Sequence, residues 1–267
     1  MPGCERLLVA SSKGGVGKST AALGLAAEFA RLGKRVLLCD LDSTSRSLDL
    51  LTGCQNEALF SFTDILDGMD AEDALLTPFR DLPGLRFLPA PTPRRLSEMK
   101  AERGTDESGL IRSGVERVAA WDGYDMLICD TGGGLDAACA AASFFTLTLV
   151  VSEQSQTSVR AADYAASRLE RCGAGRMRLC VTSFDLSAVK RENRAGVIEI
   201  IDSSSLQCVG VIPYDPRLER FQDRGELPPR RSPVTAACRN IARRIMGYDV
   251  PLFEGMPKLY RRRRLAL

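Results

Sequence analysis

The chain is 267 residues long, 45% hydrophobic and carries a net charge of +2. That is enough apolar content for one large α/β domain and too little excess charge for a global attraction to nucleic acid. Histidine is absent, which excludes histidine triads, histidine–metal sites and histidine general bases, so any chemistry falls to carboxylates, lysines and bound metal. The nine cysteines include no C-x-x-C pair. Cys39, Cys129 and Cys180 lie inside apolar runs and read as small buried hydrophobes of a reducing compartment. The apolar stretches are too short for a membrane span, and Glu5 and Lys13 flank the first of them. Neither a membrane helix nor a signal peptide is expected, and a cytoplasmic location follows.

In chain order, Leu7-Leu8-Val9-Ala10 is a short apolar run of the kind a buried strand needs. Ser11-Ser12-Lys13-Gly14-Gly15-Val16-Gly17-Lys18-Ser19-Thr20 follows as a phosphate-binding loop. Its glycines 14, 15 and 17 let successive backbone N–H groups turn inward around an anion. Lys18 stands where the loop lysine reaches the β- and γ-phosphates, and Ser19 supplies the hydroxyl offered to Mg²⁺. Ser12 replaces the glycine that opens the strict pattern. Lys13 is an additional lysine, poorly placed to reach the same phosphates from the same side. Beyond it, Ala21, Ala22, Leu25, Ala26, Phe29 and Leu32 recur at helical spacing up to Gly33. A strand, a glycine turn and a helix N-terminus in that order make an anion site from backbone dipoles.

Further strands are predicted over 35–40, 85–89, 125–130, 147–152, 177–183 and 208–212, with helices over 58–69, 107–121, 135–143, 157–172, 192–203 and 233–246. The alternation predicts a single-domain α/β fold, a P-loop NTPase with a mostly parallel, twisted sheet and helices on both faces. Residues 89–108, proline-rich then polar, read as a surface connection. After Gly247 the periodicity stops, which sets an ATPase domain over 1–247 apart from a basic tail over 248–267. Asp40 and Asp42 end the second strand, at the edge where ligands bind in an open parallel sheet. Asp130 ends another strand after four apolar residues, the pattern of a carboxylate that holds Mg²⁺ through water, and Gly132-Gly133-Gly134 follows as a turn. Ser19, Asp40 and Asp130 are therefore the metal-site candidates. Without histidine, a carboxylate that positions water is the route to hydrolysis.

These residues resemble the MinD/ParA family of deviant-loop ATPases over nearly the whole chain, and its division-site branch more than its partition branch. The loop Lys13–Thr20 matches the family signature. Asp40-Leu41-Asp42 with Arg46-Ser47-Leu48-Asp49-Leu50 is similar to the family's first switch, and Ser158-Val159-Arg160 with Asp163 to a characteristic helix start. Gly210-Val211-Ile212-Pro213 with Asp215, and Gly225-Glu226, resemble its nucleotide-base region. The resemblance implies ATP or ADP with Mg²⁺ as ligands and an ATP-bound homodimer with nucleotide at the interface. Lys13 would reach the partner's phosphates while Lys18 binds them in cis. Asp42 would position water, and Thr182 and Pro213 would contact the base. It also implies hydrolysis to ADP and phosphate, a division-inhibitor or activator partner, and peripheral association with the inner face of the membrane. Gly132-Gly133, Ser152-Glu153-Gln154 and Ala161 depart from the family pattern, the glycine pair being expected to loosen the second switch.

Relatives in this family end in an amphipathic, membrane-binding helix. Here Met256, Leu259, Tyr260, Ala266 and Leu267 would share a face interrupted by Arg263, and Arg261–Leu267 would meet an anionic surface. The alternative is a partition-type ATPase that holds DNA non-specifically through the arginines of 191–194, 230–231 and 239–244.

Overall fold

The computed structural model describes residues 4–191 and 194–263. In chain order the elements are β1 (Glu5–Ala10), α1 (Lys18–Arg31), β2 (Val36–Asp40), α2 (Ser47–Leu51), α3 (Phe62–Leu66), α4 (Ala71–Ala74) and β3 (Leu85–Leu88). Then come α5 (Pro93–Arg103), α6 (Glu107–Ala119), β4 (Met126–Asp130), α7 (Asp136–Ala141), β5 (Leu147–Ser152), α8 (Gln156–Arg171) and β6 (Arg176–Phe184). The chain closes with α9 (Leu186–Arg191), α10 (Val197–Ser204), β7 (Cys208–Pro213), α11 (Leu218–Gln222), α12 (Pro233–Ile245) and α13 (Pro257–Arg261).

The strands form one seven-stranded sheet in the order β3-β2-β4-β1-β5-β6-β7, with parallel pairing throughout. Every residue of β2, β4 and β5 is buried, as expected of strands covered on both faces. On one face α1 packs against α12 and α2. On the other, α3, α6, α7, α8 and α10 pack against one another in series. The expected P-loop architecture is thus present. Because β1 lies between β4 and β5, the chain reverses direction across the sheet beside β1, and the loop after β1 opens at that switch point.

Close helix packing at the site's rear depends on one glycine. A Cβ on Gly24 of α1 would stand 2.6 Å from Cys238 Sγ of α12. At the front of α1, Gly17 adopts a left-handed conformation (φ 81) that caps the helix and turns the loop over its end.

Several expected elements are corrected. The stretch 89–108 is not a bare connection, since it contains α5. Pro93 sits in the first turn, where its missing N–H costs nothing, and only Leu96 and Met99 are buried, so the apolar period is faint. Arg95 and Arg103 tie α5 to Asp67 at 2.9 Å each. The helix expected over 58–69 shortens to α3, because Ser61 and Asp64 form a capping box that starts it at Phe62. The helix expected from 192 begins at Val197, and residues 192 and 193 lie outside the described residues.

The tail also differs from expectation. Val250, Phe253, Met256 and Leu259 are all buried, so two residues expected on an exposed apolar face turn inward. Tyr260 remains half exposed, with Arg263 5.0 Å over its ring. Ala266 and Leu267 lie outside the described residues. No helix among those described is long and apolar enough to cross a membrane.

Candidate functional site

The expected site residues converge at the carboxyl edge of the sheet. Lys13, Gly14, Gly15, Val16, Gly17, Lys18, Ser19 and Thr20 follow β1. Asp40 ends β2 and Asp42 lies just beyond it, Asp130 ends β4, Thr182 lies near the end of β6 and Pro213 ends β7. Gly15 and Gly17 hold positive φ (75 and 81), the conformation that aims loop N–H groups at one point. Val16 is buried beneath the loop, while the space a Cβ would need at Gly14 or Gly15 is open.

Lys18 is buried, and its Nζ donates to the carbonyl of Lys13 at 3.3 Å across the loop. Burial lowers its pKa, opposed by the charges of Asp130 and Asp42. Asp40 and Asp130 are direct register partners on β2 and β4 and are both buried. Asp40 Oδ1 accepts from the Asp42 N–H at 2.8 Å, but Oδ2 has no partner. Neither oxygen of Asp130 accepts a hydrogen bond of good geometry, although Ser19 is near enough to favour the charged form. Burial nevertheless pushes Asp130 up to about 7, and burial together with the Asp130 charge pushes Asp40 well above the usual carboxylate range. Three buried, unpartnered carboxylate oxygens beside a lysine and a loop serine form a donor set suited to a hard cation. Among the described residues no group of three His, Cys, Asp or Glu side chains forms a metal cage. A cation here would be held largely by water and phosphate oxygens, as Mg²⁺ commonly is.

Asp42 is fixed by the turn it caps, its Oδ1 accepting from the N–H groups of Thr44 and Ser45 at 3.0 Å each. The glycine pair does not leave a gap beside it. A Cβ on Gly132 would meet Asp42 Oδ1 at 2.8 Å, and one on Gly133 would meet the Gly14 Cα at 3.3 Å. These glycines bring the loop after β4 against both Asp42 and the phosphate loop.

Next to the cradle lies a cavity of about 240 Å³, lined among others by Gly15, Thr20, Thr182, Pro213, Asp215 and Gln222. It is continuous with the loop and of a size for one flat heterocycle. The Thr182 hydroxyl is within 2.6 Å of the Val16 carbonyl and 3.2 Å of the Ser152 carbonyl, so its proton supports the loop from below. Gln222, which the sequence did not single out, donates to Thr20 Oγ1 at 2.7 Å and ties α11 to the loop. Lys13 points away from the cradle. Its Nζ donates to Ser158 Oγ at 2.8 Å and lies 3.6 Å from Glu153 Oε2.

Of the arginines considered for DNA contact, those of α12 make contacts within the fold, whereas Arg191, Arg230 and Arg231 are exposed. Arg239 pairs with buried Glu28 at 3.1 Å, and Arg244 donates to the carbonyls of Val250 and Val209 at 2.8 and 2.7 Å. Arg243 stacks on Tyr248. Of the cluster at 191–194, residues 192 and 193 lie outside the described residues.

A glycine loop between strand and helix, a buried loop lysine and paired strand-end carboxylates define a P-loop nucleotide-binding protein. Residues 7–228 match the CobQ/CobB/MinD/ParA nucleotide binding domain, and the chain belongs to that family. It is 31% identical over 254 residues to a septum site-determining protein MinD from Synechocystis, covering 94% of this chain and 92% of that protein. It superposes on the MinC:MinD cell division protein complex of Aquifex aeolicus with a TM-score of 0.80 and 30% identity, covering 93% of this chain and 98% of the other. The septum site-determining protein MinD of Pyrococcus horikoshii, solved with Mg-ADP, has a TM-score of 0.76 at 19% identity, with coverage of 91% and 96%, and shares the fold.

Proposed function

We propose that the chain is an ATP-dependent, dimerising ATPase switch that acts in placing the division site. ATP and Mg²⁺ bind in the cradle formed by Gly14–Thr20, with the base in the cavity beside Thr182 and Pro213. Lys18 turns from the Lys13 carbonyl toward phosphate oxygens. Ser19 and Asp130 hold the metal, with Asp40 behind them, and the metal's role is to neutralise phosphate charge. Asp42 orients the attacking water from its fixed turn.

The observation that carries the proposal is the direction of Lys13. It belongs to the loop, yet its amine points away from its own cradle and lies 2.8 Å from Ser158. A cation so placed is available to the phosphates of a second copy facing the same edge, which makes each site complete only in the dimer. Residues 1–247 then constitute the ATPase domain. The tail, 248–267, contributes a basic surface for anionic lipid on the inner face of the membrane. As the Aquifex protein is found with MinC, a division-inhibitor or activator protein is the expected partner. DNA is the less favoured ligand, because Arg239 and Arg244 are engaged with Glu28 and with backbone carbonyls of the fold.

The test is Lys13→Ala. Nucleotide affinity should stay within about threefold of wild type, while ATP-dependent dimerisation and hydrolysis are lost, as with a missing arginine finger. A Lys13→Ala chain that dimerises and hydrolyses normally would sink the proposal.

A further inference from the structure

The cavity of about 240 Å³ beside the phosphate loop has small, aliphatic and polar residues in most of its wall. Tyr214, in the turn after β7, is the one aromatic residue among the described residues that line it. Tyr214 also borders a groove of about 1000 Å³ that runs on to α13, so it stands between the two spaces. It is 60% exposed, whereas Pro213 before it is buried. A ring left so open adds little to the core. The backbone beneath it is nonetheless fixed. The Tyr214 N–H donates to the Phe184 carbonyl at 3.0 Å, and Pro213 and Pro216 restrict φ on either side. Asp215 accepts from the Arg217 N–H at 3.0 Å and pairs with its guanidinium at 2.9 Å.

The polar side chains around the same cavity are already committed. The Thr182 hydroxyl is taken by the Val16 and Ser152 carbonyls, and the Gln222 amide by Thr20 Oγ1. The Asp215 carboxylate is taken by Arg217. Little of this wall is therefore left to read the edge of a base by hydrogen bonds. A flat heterocycle bound here must be retained largely through its faces, and a ring on a rigid turn is suited to that.

We propose that Tyr214 stacks on the base of the bound nucleotide and supplies most of the affinity that the base adds to the phosphates. This rests on the reading of the cavity as the base site. Tyr214 acts in binding alone, remote from the phosphates that Lys18 and Ser19 would hold. A stacked base changes affinity by about tenfold, and that contribution should follow the ring and not the phenol hydroxyl.

The experiment compares full-length wild type, Tyr214→Phe and Tyr214→Ala, each titrated with ATP and with ribose 5-triphosphate, which lacks only the base. Calorimetry in the presence of Mg²⁺ reads affinity. The fluorescence of etheno-ATP, quenched when its base stacks on an aromatic ring, reads the contact itself. Tyr214→Ala should weaken ATP about tenfold and abolish the quenching. Its affinity for ribose 5-triphosphate and its melting temperature should stay at wild-type values. Tyr214→Phe keeps the ring and should match wild type throughout. Equal weakening of both ligands in Tyr214→Ala would make the residue a support of the loop and overturn the stack. A Tyr214→Phe protein that behaves like Tyr214→Ala would overturn it as well. If wild type prefers ATP and Tyr214→Ala keeps that preference, the stack falls while the cavity remains the base site. If wild type binds both ligands alike, the reading of the cavity falls and the stack goes with it.

Discussion

Gly132 and Asp42 approach so closely that a Cβ on the glycine would lie 2.8 Å from Oδ1 and 2.9 Å from Cγ of the carboxylate. Asp42 cannot swing aside cheaply, because that same oxygen accepts the Thr44 and Ser45 N–H groups. Gly132→Ala should therefore displace the carboxylate or the loop after β4, at an overpacking cost of about 1–3 kcal/mol. With Asp42 orienting water, turnover should fall about tenfold or more, in line with a comparable rise in barrier. Nucleotide affinity, set by the phosphate loop, should change little. Steady-state hydrolysis alongside fluorescent-nucleotide binding separates the two, and unchanged turnover would remove Asp42 from the reaction.

Burial of Asp130 carries a cost to stability. Its two oxygens are buried without partners, and burial pushes its pKa up to about 7. A carboxyl whose folded pKa lies above its unfolded value destabilises the fold as pH rises from the unfolded pKa through the folded one. Asp130→Asn removes that charge. The metal- and nucleotide-free variant should melt several degrees above wild type at pH 8, where a gain of about 1 kcal/mol is worth roughly 2–4 °C for a chain of this size. At pH 5, where Asp130 is protonated in the native state, the gain should vanish. The same variant should lose the dependence of nucleotide affinity on Mg²⁺, read by titration with and without a chelator. A variant less stable than wild type at pH 8 would contradict the account.

Gly24 offers a check on the scaffold apart from the chemistry. Its Cα faces Cys238, and a Cβ would stand 2.6 Å from the sulfur. Gly24→Ala should lower stability by about 1–3 kcal/mol despite the better helix propensity of alanine. Cys238→Ala alone should cost less than that, and the double variant should recover most of the loss, giving a favourable coupling energy. Urea denaturation of the four proteins measures it, and simple additivity would mean that α1 and α12 do not meet there.

The parts of this architecture legible in the sequence were those with strong local signatures. Strands such as Leu147–Ser152 are fully buried, so each reads as an uninterrupted apolar run, and the phosphate loop announces itself by glycine and lysine spacing. Asp40 and Asp130 could be placed at strand ends, but their direct pairing across β2 and β4 depends on a sheet order that no local pattern encodes. Helix α5 escaped because Pro93 resembles a loop residue and only two side chains face inward. Gln222 carried no signal at all, since its partner Thr20 is 202 residues away. Glu153 was visible only as a departure from a pattern. Its place beside Lys13 emerged only in the fold. Likewise, the close approach of Gly132 to Asp42 is visible only in the fold.

The tail yields a last prediction, one that separates lipid from DNA. Met256 and Leu259 are buried against the fold, whereas Arg261 and Arg262 are exposed at the end of α13. Basic residues near an anionic surface contribute about 1 kcal/mol each. Removing both charges with Arg261→Ala and Arg262→Ala should therefore weaken ATP-dependent binding to phosphatidylserine-containing vesicles about thirtyfold, leaving hydrolysis and thermal stability near wild type. Leu259→Ala should behave in the opposite way. It removes a buried side chain and should cost about 2–3 kcal/mol of stability, and by loosening α13 it should not reduce vesicle binding at temperatures where the fold persists. Cosedimentation with vesicles and, separately, with plasmid DNA reads both effects. If the arginine pair mattered for DNA and not for vesicles, the exposed charge of the tail would belong to a partition-type function, and the membrane assignment would fall while the nucleotide site remained.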